Sequence, residues 1–155
     1  MVQLVIRHAV REDFGEWLDL WNGYNAFYGR EGETALPERV TWTSWSRLLD
    51  LAEPMHALVA VVDGRLAGLA HYLFHRSTIA IAPTCYLQDL FTAPDFRGRG
   101  VAAALIHRVS DEARIAGSQR VYWQTQESNA RARRLYDRLA EDSGFIVYRR
   151  HVMDL

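Results

Sequence analysis

Leu87-Gln88-Asp89-Leu90-Phe91-Thr92-Ala93-Pro94-Asp95-Phe96-Arg97-Gly98-Arg99-Gly100-Val101-Ala102 passes from a strand through a sharp turn into a helix. Tyr86 to Thr92 is rich in aromatic and branched residues, the composition of a strand, and Pro94-Asp95 interrupts it. From Val101 onward the apolar residues recur at helical spacing, at Val101, Leu105, Val109 and Ala113. Arg97, Gly98, Arg99 and Gly100 therefore occupy a helix N-terminus, where the first N–H groups have no internal acceptor. Two glycines remove the Cβ atoms that would hold a ligand off those groups. Two arginines add charge beside the positive end of the helix dipole. The combination suits a phosphate or pyrophosphate. A tight turn with both arginines in water would use the same residues, so alone they specify an anion site and no reaction.

Downstream of this stretch, the helix from about Gly98 to Ala116 is closed by Gly117, and Gln119 to Thr125 reads as a strand. Strand, helix and strand in this span form a right-handed crossover between parallel neighbours. Asn129 caps a further helix with Ala132, Leu135, Tyr136 and Leu139 on one face. Ser143-Gly144 ends it, and Phe145 to Val152 reads as a final, weakly alternating strand.

Upstream, His56 to Val62 and Arg65 to Phe74 flank Asp63-Gly64, the strongest short signal for a hairpin. Gly68 within the second arm predicts a bulge or a close backbone approach. Arg76 to Ala82 is a connection, and Pro83 opens the central strand. Earlier still, Val2 to Ile6 reads as a short strand, and Arg11-Glu12-Asp13 opens a helix. Phe14, Trp17, Leu18, Trp21, Tyr24 and Tyr28 form its stripe, and Gly29 closes it. The loop from Gly29 to Pro37 carries Glu31 and Glu33, either solvated or attracting a cationic acceptor. A second helix from about Glu38 to Leu51 is expected to bury Trp42, Trp45, Leu48 and Leu49. The sheet is thus mixed, with hairpins early and a parallel pair at its centre.

A chain of 155 residues with 49% apolar content suits one globular domain, residues 1–155. A net charge of −1 argues against nucleic acid as a partner held by a basic face. The N-terminus lacks a signal-peptide pattern, and no segment reads as a membrane span. Cys85 is the lone cysteine, which suits a reducing, cytoplasmic setting and a small buried filler.

Arg97-Gly98-Arg99-Gly100-Val101-Ala102 resembles the Arg/Gln-x-x-Gly-x-Gly/Ala signature of the GNAT acetyltransferase superfamily. The preceding Leu-x-Asp-Leu-Phe-Thr-Ala-Pro-Asp-Phe segment is similar to that family's central strand. Asn129, followed seven residues later by Tyr136, is a third match, and the three span Tyr86 to Phe145. Leu87-Gln88-Asp89-Leu90-Phe91 and Tyr122-Trp123-Gln124-Thr125 are closest in character to the branch of histone-acetyltransferase-like and polyamine acetyltransferases.

The resemblance implies an α/β fold of the α+β mixed type: one central mixed sheet with a splayed parallel strand pair and helices on both faces. It implies acetyl-CoA as co-substrate, no metal, and transfer to a primary amine on a small molecule or peptide. Arg97, Gly98, Arg99, Gly100, Val101 and Ala102 would hold the pyrophosphate. Leu90, Phe91 and Thr92 would pair with the pantetheine arm, with the N–H of Leu90 facing the thioester oxygen. Tyr136 matches the position whose hydroxyl faces the sulfur and would act as general acid. Asn129 caps its helix and would also bond the pantetheine amide, with Arg133 near the nucleotide end. Tyr24 and Tyr28 lie where the family builds one wall of the acceptor site, and either contact the acceptor or only pack.

The general base is open. Related diamine acetyltransferases often have a glutamate where this chain has Gln88, which takes no proton. Asp89 is a candidate for ordering water or binding a cationic acceptor, although strict alternation would put it on the opposite sheet face from Gln88. His71 and Tyr72 are weaker candidates. A silent acyl-CoA-binding module is the competing function, and exposed aromatics on the last strands would suit a homodimer.

Overall fold

The computed structural model describes residues 3–154. By internal contacts the chain divides into two compact units, the first ending at Gln124 and the second beginning at Thr125.

The first unit is built on a five-stranded sheet in the order β1-β2-β3-β4-β5, where β1 is Leu4–His8, β2 Met55–Val62, β3 Arg65–His75, β4 Thr84–Thr92 and β5 Val121–Tyr122. The first four strands pair antiparallel, and β4 pairs parallel with β5. The predicted first strand is found two residues later than expected, and Val2 lies outside the described residues. At the hairpin, Asp63 (φ 48°) and Gly64 (φ 81°) are both left-handed, the geometry the Asp-Gly pair predicts for a two-residue turn.

Two expectations for Gly68 are met together. The β2–β3 register slips between Ala60 and Val61, and a Cβ on Gly68 would lie 2.7 Å from the Phe91 carbonyl oxygen and 3.0 Å from Val101 Cγ1. The absent side chain lets α3, Val101–Ile115, approach the sheet there.

The opposite face is covered by α1, Phe14–Phe27, and α2, Glu38–Leu49. Its core is aromatic, with Trp17, Trp21, Tyr24 and Trp45 buried against Val59 and Leu69. Trp17 is fully buried; a residue of this class removes 150–250 Å² from water, a gross gain of about 4–6 kcal/mol. Trp42 departs from expectation at 53% exposed. It stacks on Phe14 at 4.5 Å between ring centroids and covers the outer side of that partly buried ring rather than entering the core.

In the second unit, α4 runs Ala130–Leu139, and Asn129 accepts a bond from the Ala132 N–H at 3.3 Å, as an N-cap should. Ala132, Leu135, Tyr136 and Leu139 share the half-buried face that the spacing predicts. The predicted strand from Phe145 to Val152 does not form: residues 140–152 contain no strand. Phe145 to Tyr148 is a continuous apolar run with no polar face to alternate against, and all four side chains are exposed. Without a ladder partner a strand does not form.

Candidate active site

β4 changes character along its length. Its parallel ladder with β5 consists of Cys85↔Val121 and Tyr86↔Tyr122. From Leu87 to Thr92, the edge of β4 that faces away from β3 has no strand neighbour among the described residues. The predicted strand from Gln119 to Thr125 is thus reduced to Val121–Tyr122, because pairing ends where the two strands part.

Beyond β4, Pro94–Phe96 forms one 3-10 turn, and Gly98 (φ 75°) and Gly100 (φ 78°) are both left-handed. A Cβ on either would meet no protein atom within 4 Å. These glycines are therefore required by backbone conformation, and they leave the space over the turn open. The first bond of α3 is from Ala104 N–H to the Gly100 carbonyl, so the N–H groups of Val101, Ala102 and Ala103 lie ahead of the ladder. Arg97 Nε donates to the Thr92 carbonyl at 3.2 Å, and its guanidinium lies 5.8 Å from the Phe91 ring centre. Arg99 lies over Phe96. Both arginines flank the turn without an ion pair among the described residues.

One further atom marks this edge. Thr92 Oγ1 is buried and has no hydrogen-bond partner within the described residues. A buried hydroxyl without a partner is costly. Thr92 is the last residue of β4, directly before the turn; an amide-bearing chain laid along β4 would meet the backbone groups of its unpaired edge.

The middle of β4 carries a second feature. Register shifts between His71↔Asp89 and Tyr72↔Leu87, so Gln88 is an extra, bulged residue. Gln88 is exposed and Asp89 buried. The bulge inverts the alternation assumed from sequence and turns Asp89 toward α1. There His71 lies 2.9 Å from Asp89 Oδ2 through Nδ1, and Trp17 Nε1 donates to His71 Nε2 at 3.0 Å. An indole N–H only donates. His71 Nε2 must therefore accept, its proton sits on Nδ1, and Nδ1–H donates a hydrogen bond to the Asp89 carboxylate. His71, a weak candidate from sequence, is a neutral orienting group for Asp89 rather than a base exposed to substrate.

Tyr24 and Tyr28 stand at the end of α1 on the same side. Their rings meet edge to face at 5.1 Å, and Tyr24 also stacks with Trp21. Burial first, and then the nearby Asp89 carboxylate, pushes both phenols above their usual range, Tyr24 far above it. Tyr24 is buried and Tyr28 half-buried. Burial also pushes the Cys85 thiol up to about 12, which makes it an inert filler at neutral pH.

The structure thus brings together Leu90, Phe91, Thr92, Arg97 and the residues through Ala102 along one path, with Tyr24, Tyr28 and Asp89 grouped beside it. Asn129, Arg133 and Tyr136 belong to the second unit. There Arg133 Nη1 donates to the Glu127 carbonyl at 2.9 Å, across the first turn of α4. Sequence reasoning passed over Trp17 as a polar donor and Arg30 altogether. Neither carries a spacing signal, since both act through contacts made only in the folded chain.

The model of the acetyltransferase (GNAT) family matches residues 6–140. The chain is 29% identical over 151 residues to the D-amino-acid N-acetyltransferase HPA3 of Saccharomyces cerevisiae, covering 96% of this chain and 91% of that one. It is 27% identical over 100 residues to the thialysine N-epsilon-acetyltransferase of Caenorhabditis elegans, covering 61% of this chain and 62% of that one. Among solved structures, an aminoglycoside N-acetyltransferase crystallised in complex with CoA superposes with a TM-score of 0.81 at 20% identity, covering 99% and 97% of the two chains.

Proposed function

The chain belongs to the acetyltransferase (GNAT) family and is an acetyl-CoA-dependent N-acetyltransferase, and from that premise we propose that it acetylates a primary amine by direct transfer. The observation that carries this reading is the β4 edge from Leu87 to Thr92, which has no strand neighbour among the described residues and leads through the Pro94–Phe96 turn to the open Gly98–Gly100 turn. Acetyl-CoA supplies an activated thioester. The chain's part is to bind it, to orient it and to manage protons.

Binding falls to the N–H groups of Gly98 to Ala102 and to Arg97 and Arg99, which meet the pyrophosphate. Backbone groups of Leu90, Phe91 and Thr92 meet the pantetheine arm, and, as the family resemblance implies, Asn129 bonds its amide and Arg133 lies near the nucleotide end. The Leu90 N–H polarises the thioester carbonyl. Attack by the neutral amine forms a C–N bond and breaks the C–S bond. The amine loses one proton and the thiolate needs one. Tyr136 supplies the latter, because a phenol with a pKa near 10 stays protonated at neutral pH. Asp89, oriented by His71, holds the amine end of the acceptor or orders the water that receives its proton. Tyr24 and Tyr28 form the acceptor wall, and Gln88 lines its rim.

A cytoplasmic enzyme that self-associates through its exposed C-terminal aromatics completes the reading. No helix among the described residues is long and apolar enough to cross a membrane.

The test follows thiol release on mixing the protein with acetyl-CoA and a panel of amines: amino acids, polyamines, aminoglycosides and lysine peptides. Transfer to at least one is expected. Acetyl-CoA binding without transfer to any would favour a silent binding module. With the best acceptor, Tyr136→Phe should lower kcat by about 10²–10³-fold, the lower half of what positioned acid catalysis supplies, with acetyl-CoA affinity unchanged. A Phe variant with full kcat, where chemistry limits the rate, removes Tyr136 from the role.

A further inference from the structure

Resting on the reading of the chain as an amine acetyltransferase, we propose that Arg30 binds a carboxylate on the acceptor, and that the acceptor is an amino acid or a similar small molecule bearing a carboxylate beside its amine. The argument starts from how Arg30 is held. Gly29, at φ 77°, turns the chain back at the end of α1, and the Arg30 N–H donates to the Asn25 carbonyl at 2.9 Å. The side chain then returns toward the helix, and its Nε donates to Asn25 Oδ1 at 2.7 Å. Asn25 is buried, and its Nδ2 donates to the Trp21 carbonyl at 2.9 Å. That bond decides which way the Asn25 amide points and presents its oxygen to Arg30.

The guanidinium is also braced from one side. Its central carbon lies 5.3 Å from the Tyr28 ring centre and 5.9 Å from that of Tyr24. Every partner in this cradle is neutral, and Arg30 forms no ion pair among the described residues. Nε is used, one face is covered, and the two Nη groups form the remaining edge. An edge of two parallel N–H donors fits a carboxylate in bidentate fashion.

The opposite charge lies across the same two phenols. Asp89 meets His71 at 2.9 Å, the His71 ring lies 5.4 Å from that of Trp21, and Trp21 stacks at 5.5 Å on Tyr24, over whose ring Arg30 lies, so the anion and the cation border one small aromatic cluster. A buried carboxylate for an ammonium or amine and a braced guanidinium for a carboxylate together complement a molecule that carries both groups. A positive charge that merely complements the C-terminal end of α1 would need neither the Asn25 bond nor the stacking, and lysine would serve as well.

The experiment compares matched acceptors differing only in the carboxylate: both enantiomers of phenylalanine against phenethylamine, and both enantiomers of lysine against cadaverine. Full-length protein is used with acetyl-CoA, and kcat and KM are measured separately. The amino acid should be preferred by roughly 10–100-fold in kcat/KM, mainly through KM, as expected for a charge-assisted bidentate bond. Arg30→Gln should bring the ratio close to one. Arg30→Lys, which keeps the charge at the helix end and guards against a folding defect, should also lose most of it. A ratio near one in the wild type, or a ratio preserved in either variant, overturns the inference. Transfer only to amines without a carboxylate overturns it too, while leaving the acetyltransferase reading intact. If no amine is acetylated, that reading fails, and calorimetry of phenylalanine and lysine binding decides the Arg30 assignment. Binding lost in Arg30→Gln supports it, and absence of binding overturns it.

Discussion

Asp89 is the residue at which the sheet and the first helix meet the proposed acceptor site. It is buried, accepts a hydrogen bond from the Nδ1–H of His71, and acts electrostatically on Tyr24 and Tyr28. The Asp89 side chain was legible as a candidate, since it stands in the one strand whose sequence is followed by the Arg-Gly-Arg-Gly pattern. Its direction was not legible. Period-two alternation assumes an unbroken ladder, and one bulged residue at Gln88 inverts every face after it. Nothing in Leu87-Gln88-Asp89 announces the bulge. The role assigned to Asp89 predicts that Asp89→Asn will raise the KM of the amine by about 10-fold, as loss of one charged partner implies, with little change in acetyl-CoA affinity. The amide oxygen still accepts from His71, so the melting temperature should change little. Titration calorimetry for the cofactor and initial rates for the amine separate the two ligands. Equal effects on both, or none, would return Asp89 to a structural role.

At the scale of elements, local signals were read well. Asp63-Gly64 gave the hairpin, Gly29 and Gly117 closed helices, and Asn129 capped one, because each fixes backbone conformation within a few residues. Reach was read less well. The parallel strand after α3 is two residues long, since pairing depends on where β4 and β5 part and not on either sequence alone. The proposed cofactor role of the β4–α3 turn is separable from its structural one. Gly100 (φ 78°) and Gly117 (φ 82°) flank α3 and are equally left-handed. An alanine at either should cost about 1–2 kcal/mol of backbone strain, about 2–8 °C in melting temperature for a chain of this size. Neither new methyl meets a protein atom closer than 3.7 Å. Gly100→Ala, however, puts its methyl in the open space over the turn and should weaken acetyl-CoA binding at least 10-fold, whereas Gly117→Ala should leave it near the wild-type value. If both variants bind alike, the turn is structural only and the cofactor lies elsewhere.

Across the whole molecule the largest departure from the sequence reading is the C-terminal segment. Phe145, Ile146, Val147 and Tyr148 are 89%, 75%, 64% and 89% exposed, although their composition is that of a strand. Such a segment is read as a strand because β-branched and aromatic residues suit a pleated surface, but a strand also needs a neighbour, which sequence does not supply. Four consecutive exposed apolar side chains mark an interaction surface more often than an idle one, and extended apolar segments add readily to open sheet edges of other chains. A net charge of −1 offers little repulsion between copies. The protein should therefore sediment at micromolar concentration at about twice its chain mass of 17.8 kDa. The double variant Ile146→Lys, Tyr148→Lys should shift it to the mass of a single chain. Because both positions are exposed, the melting temperature extrapolated to low protein concentration should hold, and its concentration dependence should vanish. A wild-type protein that stays at 17.8 kDa across the accessible concentration range rules out self-association through this segment. A dimer that survives both lysines places the contact on another face.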